Sequence, residues 1–251
     1  MNSPPQSPRL ACALDNMSNH AAIRDMVEKT RDSVDIYKIG LEQFTRFGPA
    51  VLDTIRSSGK QLFLDLKYHD IPNTVAQAVR AAAELRVDYL TIHTMGGLAM
   101  MQAAAEAARS TDHALHIIGV TVLTSISQSA LRNEANVHVP LHAQVRHLAQ
   151  MAAVSRLDGI VCSAADLSVV RPHLPRKFDI ICPGIRPPGA QAHDQERIAT
   201  PAKAVADGAT ILVVGRPITS ADDPTAVAAA IRKEMGEAHQ QTADTRFHDT
   251  V

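Results

Sequence analysis

Asp65, Lys67 and Asp70 fall within six residues of one another, two carboxylates around one ammonium. An ammonium kept charged by neighbouring carboxylates can stabilise a developing anion and then give up a proton. The three follow a short apolar run, Leu62-Phe63-Leu64, which lies between Gly59 and Pro72 and reads as a buried strand. Side chains alternate faces along a strand, so Asp65 and Lys67 are expected to project the same way at its C-terminal end. Asp70 lies just beyond, where the chain turns before Pro72 opens a helix. A plainer reading stands beside this one: Asp70 as a helix cap, Asp65 and Lys67 as a structural ion pair, His69 as a solvated loop residue. Taken alone, D-x-K-x-x-D favours the plainer reading.

Positioning such a cluster requires a scaffold. Short apolar runs alternate with amphipathic stretches along the whole chain, which is the α/β pattern. The expected strands are Leu10–Leu14, Ile36–Ile39, Gln61–Leu64, Tyr89–Ile92, Ile117–Val122, Gly159–Cys162, Asp179–Cys182 and Ile211–Val214. Helical patterns such as Thr74–Leu85 and Asp223–Met235 follow them. Eight β/α units favour a closed (β/α)8 TIM barrel over an open sheet, and enzymes on that fold place their sites at the C-terminal ends of the strands.

Those strand ends carry Asp15, Lys38, the Asp65–Asp70 cluster, His93, Thr124 and Ser125, Arg186 with Gln195 after it, and finally Gly215 and Arg216. One charge on a rim is unremarkable, but in a barrel all of these converge on one mouth. The last two loops suit a phosphate: this fold often builds such a site there, with a glycine allowing backbone N–H groups to approach the anion and an arginine fork gripping its oxygens.

The 251 residues suffice for one barrel domain, expected over residues 10–235, with loose polar tails at 1–9 and 236–251. A net charge of −1, no Trp, three Tyr and five Phe leave little with which to hold a nucleic acid. Cys12, Cys162 and Cys182 have no metal-type spacing and are expected as buried free thiols in a reducing compartment. His138, His142 and His147 approach helical spacing, but lacking partner carboxylates they read as solvated side chains rather than metal ligands. No apolar run reaches the roughly 20 residues that span a bilayer, and the start has no signal-peptide core, so a cytoplasmic protein is expected.

The string Phe63–Thr74, FLDLKYHDIPNT, resembles the active-site signature of the orotidine 5′-monophosphate decarboxylases. Further motifs appear in that family's order: ALD (Ala13–Asp15), KIG (Lys38–Gly40), TVLTS (Thr121–Ser125), VCSA (Val161–Ala164), PGIRP (Pro183–Pro187) and VGRPIT (Val214–Thr219). The resemblance runs from about Leu10 to Met235. It implies a cofactor-free and metal-free decarboxylase of pyrimidine synthesis that works as a homodimer. By the same resemblance Lys67 is the proton donor, flanked by Asp65 and Asp70, while Asp70, Ile71 and Thr74 enter the neighbouring subunit's site. Asp15 and Lys38 would bind the ribose, Thr124 and Ser125 the pyrimidine, and Arg186, Gln195, Gly215 and Arg216 the 5′-phosphate. Departures are small: His93-Thr94-Met95-Gly96-Gly97 replaces the more usual His-Ala-Ser-Gly-Gly, and Cys182 stands where Thr is common.

Two rivals are weighed against this. A barrel decarboxylase of keto-sugar phosphates shares D-x-K-x-x-D but uses Mg2+; the TVLTS and PGIRP segments argue against it. A non-catalytic barrel that binds a phosphorylated ligand would have no need of a costly pair of like charges.

Overall fold

Alternate residues of the apolar runs face opposite ways, and the structure turns that period of two into an inside and an outside. A computed structural model describes residues 7–187 and 199–248, with 243–248 as backbone only. The strands are β1 (Arg9–Ala13), β2 (Ile36–Gly40), β3 (Gln61–Tyr68), β4 (Tyr89–His93), β5 (His116–Val120), β6 (Gly159–Val161), β7 (Asp179–Cys182) and β8 (Ile211–Val214). Each pairs in parallel with the next, and β8 with β1, closing a (β/α)8 barrel. One set of side chains, among them Ala11, Ile36, Phe63, Ile118, Ile181 and Ile211, fills the barrel interior. The alternate set, including Leu10, Tyr37, Leu62, Leu64 and Leu90, packs outward against the helices. Each fully buried aliphatic side chain contributes about 1.5–3 kcal/mol.

The same parity aims the chemistry. Two residues beyond the inner layer come Asp15 after Ala13, Lys38 after Ile36, Asp65 after Phe63, Thr91 after Tyr89 and Gly215 after Val213. Two residues before it come Arg9 and Asp179, which close the opposite end. Arg9 donates to both Asp179 oxygens at 2.9 and 2.8 Å and also to the Tyr89 hydroxyl. This fork across the barrel draws Arg9 into β1, one residue ahead of the expected start at Leu10.

Most other strand ends differ from expectation by a residue or two, and β3 by more. β3 runs on past Asp65 and Lys67 to Tyr68, because at a barrel mouth inward-facing Asp and Lys continue a strand where they would otherwise suggest a turn. The helix after it opens on Pro72, as expected, with Ile71 extended as a residue preceding proline must be, and no side chain caps it. Asp70 accepts instead from the Ile71 N–H at 2.6 Å, so the plainer reading of Asp70 as the cap does not hold.

The largest difference lies at the C-terminus. The final helix spans Pro224–His248 and passes straight through Gly236, where a loose tail was expected. Ala228, Ile231, Met235 and Ala238 repeat every three or four residues and are all buried, so the apolar stripe outlasts the expected boundary. Thr242 continues that spacing and donates to the Ala238 carbonyl at 2.8 Å. Of the N-terminal tail, residues 1–6 lie outside the described residues. No helix among the described residues is long and apolar enough to cross a membrane. The three cysteines are buried and free.

Candidate active site

At the C-terminal mouth the inward-facing charges form one unbroken chain. Lys38 Nζ lies 3.2 Å from Asp15 Oδ1 and 3.3 Å from Asp65 Oδ2, and Lys67 Nζ lies 2.8 Å from Asp65 Oδ1. Charge alternates along it: carboxylate, ammonium, carboxylate, ammonium. Burial works against the Lys38 ammonium, but Asp65 and then Asp15 outweigh it and hold its pKa above the usual lysine value. Burial likewise opposes the Asp65 carboxylate, yet Lys38 and Lys67 prevail and hold it below the usual range. Lys38 and Asp65 are therefore held in their charged forms, and Asp65, in contact with both lysines, is the hinge of the array.

Lys67 reaches Asp65 by a route that strand alternation alone does not provide. Leu64 pairs with Leu90 and Tyr68 with Ile92, so three residues of β3 lie opposite Thr91 alone. Within this bulge Lys67 adopts φ +50°, a left-handed conformation rare outside glycine. Its displaced backbone N–H donates to Thr91 Oγ1 at 2.9 Å.

Gly40 borders the same cluster. A Cβ there would sit 2.9 Å from Asp15 Oδ1 and 3.2 Å from Lys38 Nζ. Beside the cluster, the rings of His69 and His93 lie 5.4 Å apart. Burial, then His69 and Lys67, hold the His93 pKa below its ordinary value.

The array opens onto a cavity of about 400 Å³, a volume suited to a small ligand. Of the residues expected at the site, Asp15, Lys38, Asp65, Lys67, Thr124, Arg186, Gly215 and Arg216 line it. Arg186 and Gly215–Arg216 come from the segments after β7 and β8, so cationic side chains stand at two sides of one pocket. Its floor is the apolar inner layer, with Phe63, Val120, Val161, Ile181 and Val213. Phe63 and Val161 open two of the motifs, whereas Val120, Ile181 and Val213 carry no motif signal and are legible only from strand alternation.

Four expected residues do not line the cavity: Asp70, Ile71, Thr74 and Ser125, each exposed in the single chain. Ile71, an aliphatic side chain, is 67% exposed. Gln195 lies outside the described residues. His138, His142 and His147 are exposed, as expected of solvated side chains. Neither Thr91 nor Asn16 on the cavity wall carries a sequence signal, while Thr219, also on the wall, ends the VGRPIT motif.

Comparison with known proteins gives the same answer along nearly the whole chain. The profile of the orotidine 5′-phosphate decarboxylase / HUMPS family matches residues 8–231. An orotidine 5′-phosphate decarboxylase of Moorella thermoacetica is 44% identical over 232 residues, covering 90% of this chain and 92% of the relative. That of Halorhodospira halophila is 44% identical over 236 residues, covering 94% and 99%. The crystal structure of orotidine 5′-phosphate decarboxylase from Lactobacillus acidophilus superposes with a TM-score of 0.80 at 37% identity, covering 91% of this chain and 99% of that one. With the motifs in order, the barrel closed and the charged array at its mouth, the chain belongs to the orotidine 5′-phosphate decarboxylase / HUMPS family.

Proposed function

We propose that this protein decarboxylates orotidine 5′-monophosphate to UMP in pyrimidine synthesis, with Lys67 as the proton donor and no cofactor taking part. The observation that carries the reading is the Asp15–Lys38–Asp65–Lys67 chain, held at 3.2, 3.3 and 2.8 Å along one wall of a cavity whose other walls present Arg186 and Arg216. One end suits a ribose and the reacting carbon, the other a phosphate.

In the reaction the bond from C6 to the carboxylate breaks, CO2 leaves, and the electron pair stays on C6. That carbanion lies in the ring plane, where no π-system delocalises it. The Lys67 ammonium stabilises it by its charge, then transfers a proton to C6, and solvent reprotonates the amine. Asp65 holds the Lys67 ammonium at 2.8 Å and also faces the departing carboxylate. Repulsion between them is the smaller part: two like charges about 4 Å apart at an effective dielectric of about 20 repel by roughly 4 kcal/mol. The largest enzymatic accelerations require about 23 kcal/mol. Most of the effect must therefore come from an ammonium preorganised beside C6, with binding of the remote phosphate offsetting the cost of assembling the charges.

The exposed Asp70, Ile71 and Thr74 support a homodimer in which this corner of one subunit completes the cavity of the other. An aliphatic side chain at the start of a helix gains by burial against a second copy.

Asp15 and Lys38 are assigned to the ribose hydroxyls, which gives Gly40 a measurable role. Gly40→Ala should push the flexible Asp15 and Lys38 side chains apart while sparing the fold. We expect KM to rise about tenfold, the cost of one charge-assisted hydrogen bond, with the melting temperature little changed.

The decisive test is a spectrophotometric assay of purified protein with orotidine 5′-monophosphate in excess EDTA. Conversion to UMP is expected. Failure of folded, dimeric protein to turn over would overturn the substrate assignment, and sugar phosphates with Mg2+ would be assayed next.

A further inference from the structure

We infer that Thr91 is a positioning residue of this active site, setting both the backbone of Lys67 and the aim of Asp65 through its one hydroxyl. For its kinetic consequence the inference rests on the function proposed above; its geometric content stands apart from any substrate.

Thr91 sits at the middle of β4, fully buried, and does not line the cavity. Its Oγ1 accepts from the Lys67 backbone N–H at 2.9 Å and donates to Asp65 Oδ1 at 2.9 Å. That same oxygen receives Lys67 Nζ at 2.8 Å. The contacts close a ring: backbone N–H of Lys67, hydroxyl of Thr91, carboxylate of Asp65, side-chain ammonium of Lys67. A hydroxyl suits this place because it donates once and accepts at the same time.

The ring sits where the β3–β4 ladder fails. Asp65, Leu66 and Lys67 bulge out opposite Thr91, so the Lys67 N–H takes no ladder carbonyl, and a side chain stands in for the missing partner. Lys67 at φ +50° has a conformation that is costly in a non-glycine residue and persists only where its surroundings demand it. The Thr91 hydroxyl is the group that demands it. By fixing one Asp65 oxygen, it also leaves Oδ2 directed at Lys38, 3.3 Å away. Thus a residue with no contact to the cavity governs the register of the whole charged array.

Thr91→Val keeps the shape and removes the hydroxyl, so it leaves the Lys67 N–H without that partner and takes away one of the contacts that aim Asp65. Displacing a reacting group by about 1 Å costs roughly 100-fold in rate, and kcat should fall by about that factor while KM for orotidine 5′-monophosphate stays within about threefold. Thr91→Ser, which retains the hydroxyl, should recover most of the rate. Loss of packing alone would instead leave serine no better than valine, and that result, or a valine variant of near-normal kcat, overturns the inference. Should the valine variant not fold, Thr91→Cys against Thr91→Ser makes the same comparison at nearly equal volume, with the thiol, a weak donor and acceptor, expected to lag by at least about tenfold. Crystal structures of the valine or cysteine variant give a readout free of the substrate question. Lys67 is expected to leave the left-handed region or its Nζ to withdraw from Asp65, and both unchanged would sink the inference. If wild-type protein fails to turn over the nucleotide, the proposed function falls and these structures alone decide the role of Thr91.

Discussion

Lys67→Ala should abolish turnover, with a loss of at least about 10⁴-fold, while UMP still binds within about tenfold of wild type. Two contributions disappear together. A positioned general acid is worth about 10²–10⁴-fold, and a preorganised charge aimed at the developing anion about 10²–10³-fold more. Binding should be spared because the groups proposed for phosphate and ribose lie elsewhere: Arg186, Gly215 and Arg216 come from the last two strand ends, Asp15 and Lys38 from the first two. The fold survives because Asp65 keeps Lys38 as its partner at 3.3 Å. Single-turnover kinetics and calorimetry with UMP separate the two effects. Near-normal turnover would remove Lys67 from the mechanism.

Asp70→Ala and Lys67→Ala, each inactive by itself, should restore activity when mixed. In a two-fold dimer with shared sites, a hybrid has one site lacking both groups and one site with both intact. Random reassortment makes half of the dimers hybrids, so about one quarter of wild-type activity should return. The ground for this is that Asp70, Ile71 and Thr74 stand away from their own chain's cavity, and the Asp70 carboxylate lies on the neighbouring Ile71 N–H at 2.6 Å. Subunit exchange must be verified independently, for example by native mass spectrometry of differently tagged chains. Exchange without recovered activity would show that Asp70 does not serve the partner's site.

Much of this site is legible in the sequence. Strand positions were readable because the runs around Ile36, Leu62, Leu90 and Ile180 are apolar, short and separated by helical patterns. Asp15, Lys38, Asp65, Arg186 and Arg216 could then be assigned to one mouth, since parallel strands of a barrel all end there. Other features misled for local reasons. Gly236 and its polar neighbours resemble a helix end, yet the helix goes on because Ala238 has a surface to bury against. Arg9 resembles a tail residue until Asp179 is found across the barrel floor.

What the sequence determined by itself follows from neighbours along the chain. Period-two alternation decided which side chains face inward, and the order of motifs announced the family. Only the tertiary structure decided how Lys67 is aimed. Alternation alone would carry it along a regular strand, but the bulge of β3 against β4 and the Thr91 hydroxyl turn its backbone left-handed and bring the ammonium onto Asp65. The Thr91–Asp65 hydrogen bond joins residues 26 apart. No local preference encodes it, because neither partner meets the other until the two strands dock and the ladder between them breaks.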